Sequence, residues 1–368
     1  MFCLFIQKSL LLFKRWNKYI NFLENKKKTT IKDIANVLGI TPSAVSKALN
    51  DHPRISKETK LAVKQIAENL NYQPNHLASA LRKGKSNLVG VIVPRTNSHF
   101  FSSVLENLEK VLEKEGYNVI ITQSNESYAK ECKNIDTLLH TQVDGIIASL
   151  ANETVNFSQF EKIKKKGIPL ILYDRGDNDI DVDYIGIDDF DMSHMVVEHL
   201  VKQNCKRIAH IGGYRHTRIF KNRILGFNDA LKKLNLPFED DLILEGDLTL
   251  DYGRKGMEKL LRLKNPPDAV FAASDYAALG ALQVLQENNI KVPEEVALVG
   301  FSNEPFTSLV KPSITTVNQH SGEIGKIAAE TFIKRINQKN WKPKLTKNIL
   351  KSELIIRESS NRLTKKTT

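Results

Sequence analysis

The chain has 368 residues, 41% of them hydrophobic, and a formal net charge of +12. That length accommodates a small module plus one large two-lobed domain, with enough apolar residues for a real core. The charge is lopsided: residues 1–88 carry 16 Lys and Arg against 5 Asp and Glu, and the remainder carries 38 against 37, so a polyanion is the expected partner of the first quarter alone.

The three cysteines, Cys3, Cys132 and Cys205, are scattered and form no CxxC. They read as reduced thiols of a cytoplasmic protein. His194 and His199 lack the HExxH pattern, so no metal is expected. Residues 1–28 open on an apolar run (MFCLFIQKSLLLF) broken by Lys8. It is too short to span a bilayer, and basic residues follow the apolar run where a signal peptide has them first. The expectation is a non-essential extension, with a weak membrane or partner contact as the alternative. Lys26, Lys27 and Lys28 then form a basic arm.

Residues 29–74 read as three short helices. Thr30 with Asp33 three residues on starts the first, which runs through Ile34, Ala35 and Leu38 and stops at Gly39. Thr41-Pro42 opens the second, with Val45 and Leu49 facing inward. Ser56 caps the third, whose buried stripe is expected at Leu61, Ile66 and Leu70, with Ala62 and Val63 beside it. Only Gly39-Ile40 separates the first two, the short connection a helix-turn-helix needs. A plain three-helix bundle would not explain the side chains left outside the second helix, namely Ser43, Ala44, Ser46, Lys47 and Asn50. Short polar and methyl groups can approach base edges, and Lys47 can donate to guanine O6 and N7. Thr30 and Thr41 complete the expected DNA-contacting set of the head.

Residues 75–87 form a hinge and linker. The residue before Pro74 disfavours helix, which ends the bundle. Asn75–Arg82 is helix-forming but too short to be stable alone in water.

From residue 88 to 360 strand and helix patterns alternate. Apolar runs fall at 88–94, 118–122, 144–149, 169–174, 183–188, 207–213, 242–247, 269–275 and 296–302. Repeated β-α units imply parallel sheets with helices on both faces, and this many strands implies two lobes. Ligands bind off the carboxyl ends of such strands. The candidate pocket residues are therefore Asp174, Asp247, Ser274, Asp275, Ser302 and Asn303. Asp188, Asp189 and Asp191 read as caps of the helix near Met192. GxGxxG after a strand, GxxxxGK[ST] and GxSxG are all missing from the sequence, so neither an enzyme nor a cofactor is expected. Residues 361–368 make a basic tail.

TIKDIA, AVSKALN, NYQPN and HLASALR occur in that order at the head and hinge. With them the chain resembles the lactose-repressor/galactose-repressor family over nearly all of residues 29–360. The resemblance implies an all-α helix-turn-helix head and an α/β, two-lobed, periplasmic-binding-protein-like body with parallel sheets. The chain would cross between lobes near Asp188, Val317–His320 and Lys347. It implies hinge helices paired in the minor groove, with Leu81 as an apolar wedge, Ala78 against the groove floor, and Asn75 and Arg82 as further contacts. It assigns Arg223 and Asp275 to the effector, with Asp174, Phe301, Ser302 and Asn303 on other rims; an aromatic such as Phe301 or Phe100 can stack on a sugar face. Lys47 departs from the family's usual Arg, and Ser274 and Ser302 from its usual Asn and Asp. The reading is a transcription regulator, a repressor, that binds double-stranded operator DNA as a homodimer under control of a small-molecule effector, a carbohydrate being favoured. A sugar-binding protein of the periplasmic type without DNA function, and an enzyme acting on a sugar, are the rivals.

Overall fold

The computed structural model describes residues 29–73, 84–176, 180–338 and 345–363. The extension at 1–28, the hinge residues Asn75, Ala78, Leu81 and Arg82, and residues 364–368 of the basic tail lie outside the described residues. The chain divides into two compact units between residues 82 and 83.

The head comprises α1 (Ile31–Leu38), α2 (Pro42–Leu49) and α3 (Lys57–Asn69). Each start has a local cause. The Asp33 carboxylate accepts from Thr30 N at 2.8 Å and Thr30 Oγ1 at 2.6 Å, Thr41 Oγ1 accepts from Ala44 N at 3.1 Å, and Ser56 Oγ accepts from Thr59 N at 3.2 Å. Gly39 ends α1 in the left-handed region at φ 67°, where a side chain would be strained. Ile34, Ala35, Val45, Ala48, Val63, Ala67 and Leu70 form the core. Two expectations are corrected. Leu61 is 68% exposed, because the inner face of α3 runs through Val63, Ala67 and Leu70. Ser46 is buried, because it lies one step around α2 from Val45 and its small side chain fits inside.

The second unit alternates strand and helix. In chain order it runs β1 (Leu88–Val93), α4 (His99–Lys114), β2 (Asn118–Gln123), α5 (Tyr128–His140), β3 (Gly145–Ala148), α6 (Ser158–Lys165), β4 (Leu170–Tyr173), β5 (Asp183–Ile187) and α7 (Asp189–Lys202). It continues with β6 (Ile208–Gly213), α8 (Arg218–Lys233), β7 (Ile243–Gly246), α9 (Leu250–Leu261), β8 (Ala269–Ala272), α10 (Asp275–Glu287), β9 (Ala297–Phe301), β10 (Thr315–Asn318), α11 (Ser321–Asn337), β11 (Lys347–Leu350) and β12 (Glu353–Ile355). Two six-stranded sheets result, in the orders β11-β5-β4-β3-β1-β2 and β12-β10-β9-β8-β6-β7. The pairings are parallel except β10 with β12. The chain passes between sheets after β5, after β10 and between β11 and β12, so the third crossing sits at residues 351–352, a few residues beyond Lys347. The central strands are apolar on both faces, as a sheet covered on both sides requires.

One buried acid in the first lobe gives a direct test of the packing. Glu131, in the first turn of α5, is fully buried and accepts from Ala151 N at 2.8 Å and Thr154 Oγ1 at 2.6 Å. Burial pushes its carboxyl up to about 7, against the opposing effect of those two bonds. Between an unfolded value near 4.5 and that value, the folded chain holds a proton that the unfolded chain has released. The stabilisation is therefore complete below the lower value and is lost as pH rises through the upper one. Urea unfolding across pH 4–7.5 should show the wild type losing about 3 kcal/mol more than Glu131→Gln over that window; parallel pH profiles would contradict it.

Candidate functional site

The carboxyl ends of the two sheets in the second unit face a cleft enclosing about 570 Å³, its open mouth included. From the first lobe come Phe100 and Phe101 at the start of α4, and Asp174 and Arg175 just past β4. From the second come Arg223 and Phe220 on α8, Ser274 past β8 and Ser302 past β9.

Arg223 is fixed by its surroundings. Its Nε donates to Asp189 Oδ1 at 2.8 Å and its Nη1 to the Ala273 carbonyl at 2.8 Å. Both members of the Arg223–Asp189 pair are about 3% exposed. The guanidinium lies 3.6 Å from the centre of the Phe301 ring, an attraction strengthened by exclusion of water. Burial pushes the Asp189 carboxyl up to about 6 even with Arg223 opposing. The pair forms because α7 and α8 touch: a methyl on Gly226 would run into the Phe190 carbonyl oxygen. Arg223 keeps N–H capacity for a ligand beyond these bonds.

Opposite stands Asp174, buried at φ 55° and bonded by Gln319 Nε2 at 3.1 Å. Burial raises its carboxyl above the ordinary range, and Arg175 and Arg223 pull the other way. Arg175 lies 5.8 Å from the Phe101 ring and 5.7 Å from the Phe220 ring, with Nη1 on Glu126 Oε2 at 2.5 Å. Its Nε has no hydrogen-bond partner among the described residues. Burial alone would raise the Glu126 carboxyl, but Arg175 and Arg95 together hold it down to about 2.

Of the residues singled out in the sequence, Phe100, Asp174, Arg223, Asp247, Ser274 and Ser302 line this one cleft. Asp275, Phe301 and Asn303 do not. Asp275 is fully buried and turned to the loop after β9, accepting from Thr316 Oγ1 at 2.7 Å and Glu304 N at 2.8 Å. Burial, with Glu304 adding to it, pushes its carboxyl up to about 7. Nor is it the cap of α10: Ser274 Oγ takes that role, accepting from Tyr276 N at 3.2 Å. Phe301 lies beneath Arg223 as a fully buried platform. Asn303 Oδ1 accepts from Arg357 at 2.8 Å. Arg175, Gln319, Tyr276 and Glu304 line the cleft without having been singled out. Arg175 was within reach, since it follows Asp174 at the same strand end.

On the head, Ser43, Lys47 and Asn50 are exposed and Ala44 half-buried on α2. Asn50 Nδ2 folds back onto Ser46 O at 2.7 Å. Thr30 and Thr41 are exposed and engaged as caps. Among the described residues, no cluster of His, Cys, Asp and Glu could hold a metal ion, and no helix is long and apolar enough to cross a membrane.

A family model described as bacterial regulatory proteins, lacI family, matches residues 30–75, and one described as a periplasmic binding protein-like domain matches residues 197–360. Catabolite control protein A of Priestia megaterium is 30% identical over 310 residues, covering 84% of this chain and 93% of that one. The HTH-type transcriptional regulator DegA of Bacillus subtilis (strain 168) is 31% identical over 337 residues, covering 91% and 99%. Among solved structures, the complex of the transcriptional regulator CelR with cellobiose matches at TM-score 0.69 and 26% identity, covering 90% of this chain and all of that one. A helix-turn-helix head, a two-lobed body with a polar cleft, and full-length likeness to bacterial regulators agree. The chain belongs to the lacI family, DNA-binding transcription regulators with an effector-binding domain.

Proposed function

We propose that this regulator is a cytoplasmic homodimeric repressor whose effector is a carbohydrate or sugar derivative bound in the cleft between the lobes. The observation that carries the proposal is the facing pair of Asp174 and the anchored Arg223 beside the rings of Phe100, Phe101 and Phe220. A carboxylate opposite a guanidinium suits vicinal hydroxyls, and aromatic faces suit the C–H face of a sugar ring. The solved relative CelR holds cellobiose, which favours the same ligand class here.

Residues 29–74 are the DNA-reading head in this proposal, 75–87 the hinge and 88–360 the effector-binding and dimerising body. Ser43, Ala44, Lys47 and Asn50 approach the major groove, while Thr30 and Thr41 hold the helix ends near the phosphates. Ser46, turned inward, supports the core and leaves the base-reading set. Asn75, Ala78, Leu81 and Arg82 belong to the minor-groove contact. A single head reads few base pairs, so two half-sites and two protomers are needed. An effector that changes how the lobes close changes the operator affinity, and the operator changes the effector affinity by the same factor.

The test is a thermal-shift screen of the full chain with neutral sugars, sugar acids and nucleobases. A cognate sugar at a hundred times its Kd adds about 2.7 kcal/mol of stability. A hit confined to nucleobases would replace the carbohydrate with a purine-type effector.

Arg223→Ala should abolish that ligand response while leaving the chain able to shift operator DNA. Calorimetry with the hit compound and a gel-shift titration check the two halves, and wild-type ligand heat in the variant would remove Arg223 from the site. Gly226→Ala should force α7 from α8, destabilise the body by about 1–3 kcal/mol and weaken the ligand through Arg223; unchanged stability would mean the helices part without penalty. Lys47→Ala should cost about 1–3 kcal/mol of operator affinity and relax the preference at one base pair per half-site. Binding-site selection that returns the wild-type preference at every position would deny it that role.

A further inference from the structure

Helix α4 begins without a cap of its own. Among the described residues, its N-cap Ser98 makes no side-chain bond to its own helix, and there is no acid in the first turn. The free N–H groups and the positive end of the helix dipole at such a terminus attract an anion. The anion is already there, and it comes from the other lobe. The carboxylate of Glu304 accepts from Ser98 Oγ at 2.8 Å, His99 N at 3.1 Å and Phe100 N at 3.2 Å. Glu304 follows β9 in the second lobe, and it is only 3% exposed. It also lines the cleft.

Its backbone is held on the second-lobe side. Glu304 N donates to Asp275 Oδ2 at 2.8 Å, Asp275 Oδ1 accepts from Thr316 Oγ1 at 2.7 Å, and Thr307 Oγ1 donates to Glu304 O at 2.6 Å. This is the work Asp275 does in place of touching ligand. A second bond crosses beside it, from Tyr276 OH to Asn97 O at 3.1 Å. A cap from within one lobe, such as Glu153 accepting from Tyr128 N at 3.0 Å at the start of α5, is there whether the lobes are together or apart. A cap donated by the opposite lobe exists only while the lobes are together, and parting them strips the carboxylate of three donors at once.

We propose that Glu304 is a specificity-determining clasp: it fills the anion-binding end of the cleft from the second lobe, holds the lobes together before an effector arrives, and bars carboxylate- or phosphate-bearing effectors from that end. A ligand anion reaching α4 must displace a buried, three-fold bonded carboxylate, whereas a hydroxyl group can bond beside it. The exclusion of charged effectors rests on the cleft being the effector site; the clasp itself does not.

The experiment needs no effector. Hydrogen exchange of the amides at residues 98–104 is followed in the full-length wild type, Glu304→Gln and Glu304→Ala, in inorganic phosphate and in chloride of equal ionic strength. Exchange at His99 and Phe100 should rise at least tenfold in both variants. Phosphate should restore protection in Glu304→Ala and change nothing in the wild type. Phosphate sites elsewhere on the chain do not enter, because the readout is confined to the start of α4. Unchanged exchange in both variants would overturn the clasp. Phosphate protection of the wild type equal to that of Glu304→Ala would overturn the exclusion of anions, as would a vacated site that phosphate fails to protect. Should Glu304→Ala not fold, Glu304→Gln, which keeps an acceptor but loses the charge, decides the matter by the same exchange measurement. A sugar screen without a hit would sink the carbohydrate proposal and leave this result standing.

Discussion

The buried pair of Arg223 and Asp189 sets the geometry on which the cleft depends. Taking two charges out of water is costly, and such pairs often do no better for stability than apolar residues of the same shape, whereas losing one partner costs about 3–5 kcal/mol. What the pair contributes is direction. Asp189, the Ala273 carbonyl and the Phe301 ring hold the guanidinium on three sides, so its remaining donors point where the fold sends them. That arrangement exists only because α7 and α8 approach to backbone contact at Gly226. A binding group placed by packing and not by a mobile loop loses little freedom when a ligand arrives.

The strands β1–β9 were legible because each is a short, largely apolar run, and all but the edge strands β2 and β7 are almost wholly buried. β10 was not, since Thr315–Asn318 is polar at all but Val317 and its threonines face buried partners such as Asp275. β11 and β12 were missed because Lys347–Leu350 and Glu353–Ile355 begin on charged residues and contain no fully buried one, so neither forms an apolar run. Helix starts in the head were legible because each cap and its hydrogen-bond partner lie three residues apart. Leu61 misled because α3 has apolar residues on more than its core face, and periodicity alone does not choose between them.

The site divides along the same line. Strand-end position located Asp174, Ser274 and Ser302 at the cleft, since the end of a parallel strand is fixed by its own sequence. It could not tell Asp275 from Asp189. Asp275 has the better address, at the end of β8, but its partners Thr316 and Glu304 lie 41 and 29 residues away and turn it from the cleft. Asp189 looked like a helix cap, and its neighbour Asp188 does cap α7. Only the meeting of α7 with α8, 34 residues on, gives Asp189 its role.

The cleft's division between lobes carries the regulatory consequence. Phe100, Asp174 and Arg175 belong to the first lobe, and Arg223, Ser274 and Ser302 to the second. A ligand confined to one lobe would bind open and closed forms equally and shift nothing, however tightly it bound. A ligand that bridges Asp174 and Arg223 binds the closed form better by the whole of its second set of contacts, and that difference is the only free energy available to move the equilibrium. The bonds already made across the cleft by Glu304 and Gln319 reduce how much a ligand must supply. The chain crosses between the lobes three times, so any closing motion a bridging ligand drives must bend three connections together and cannot be a free separation.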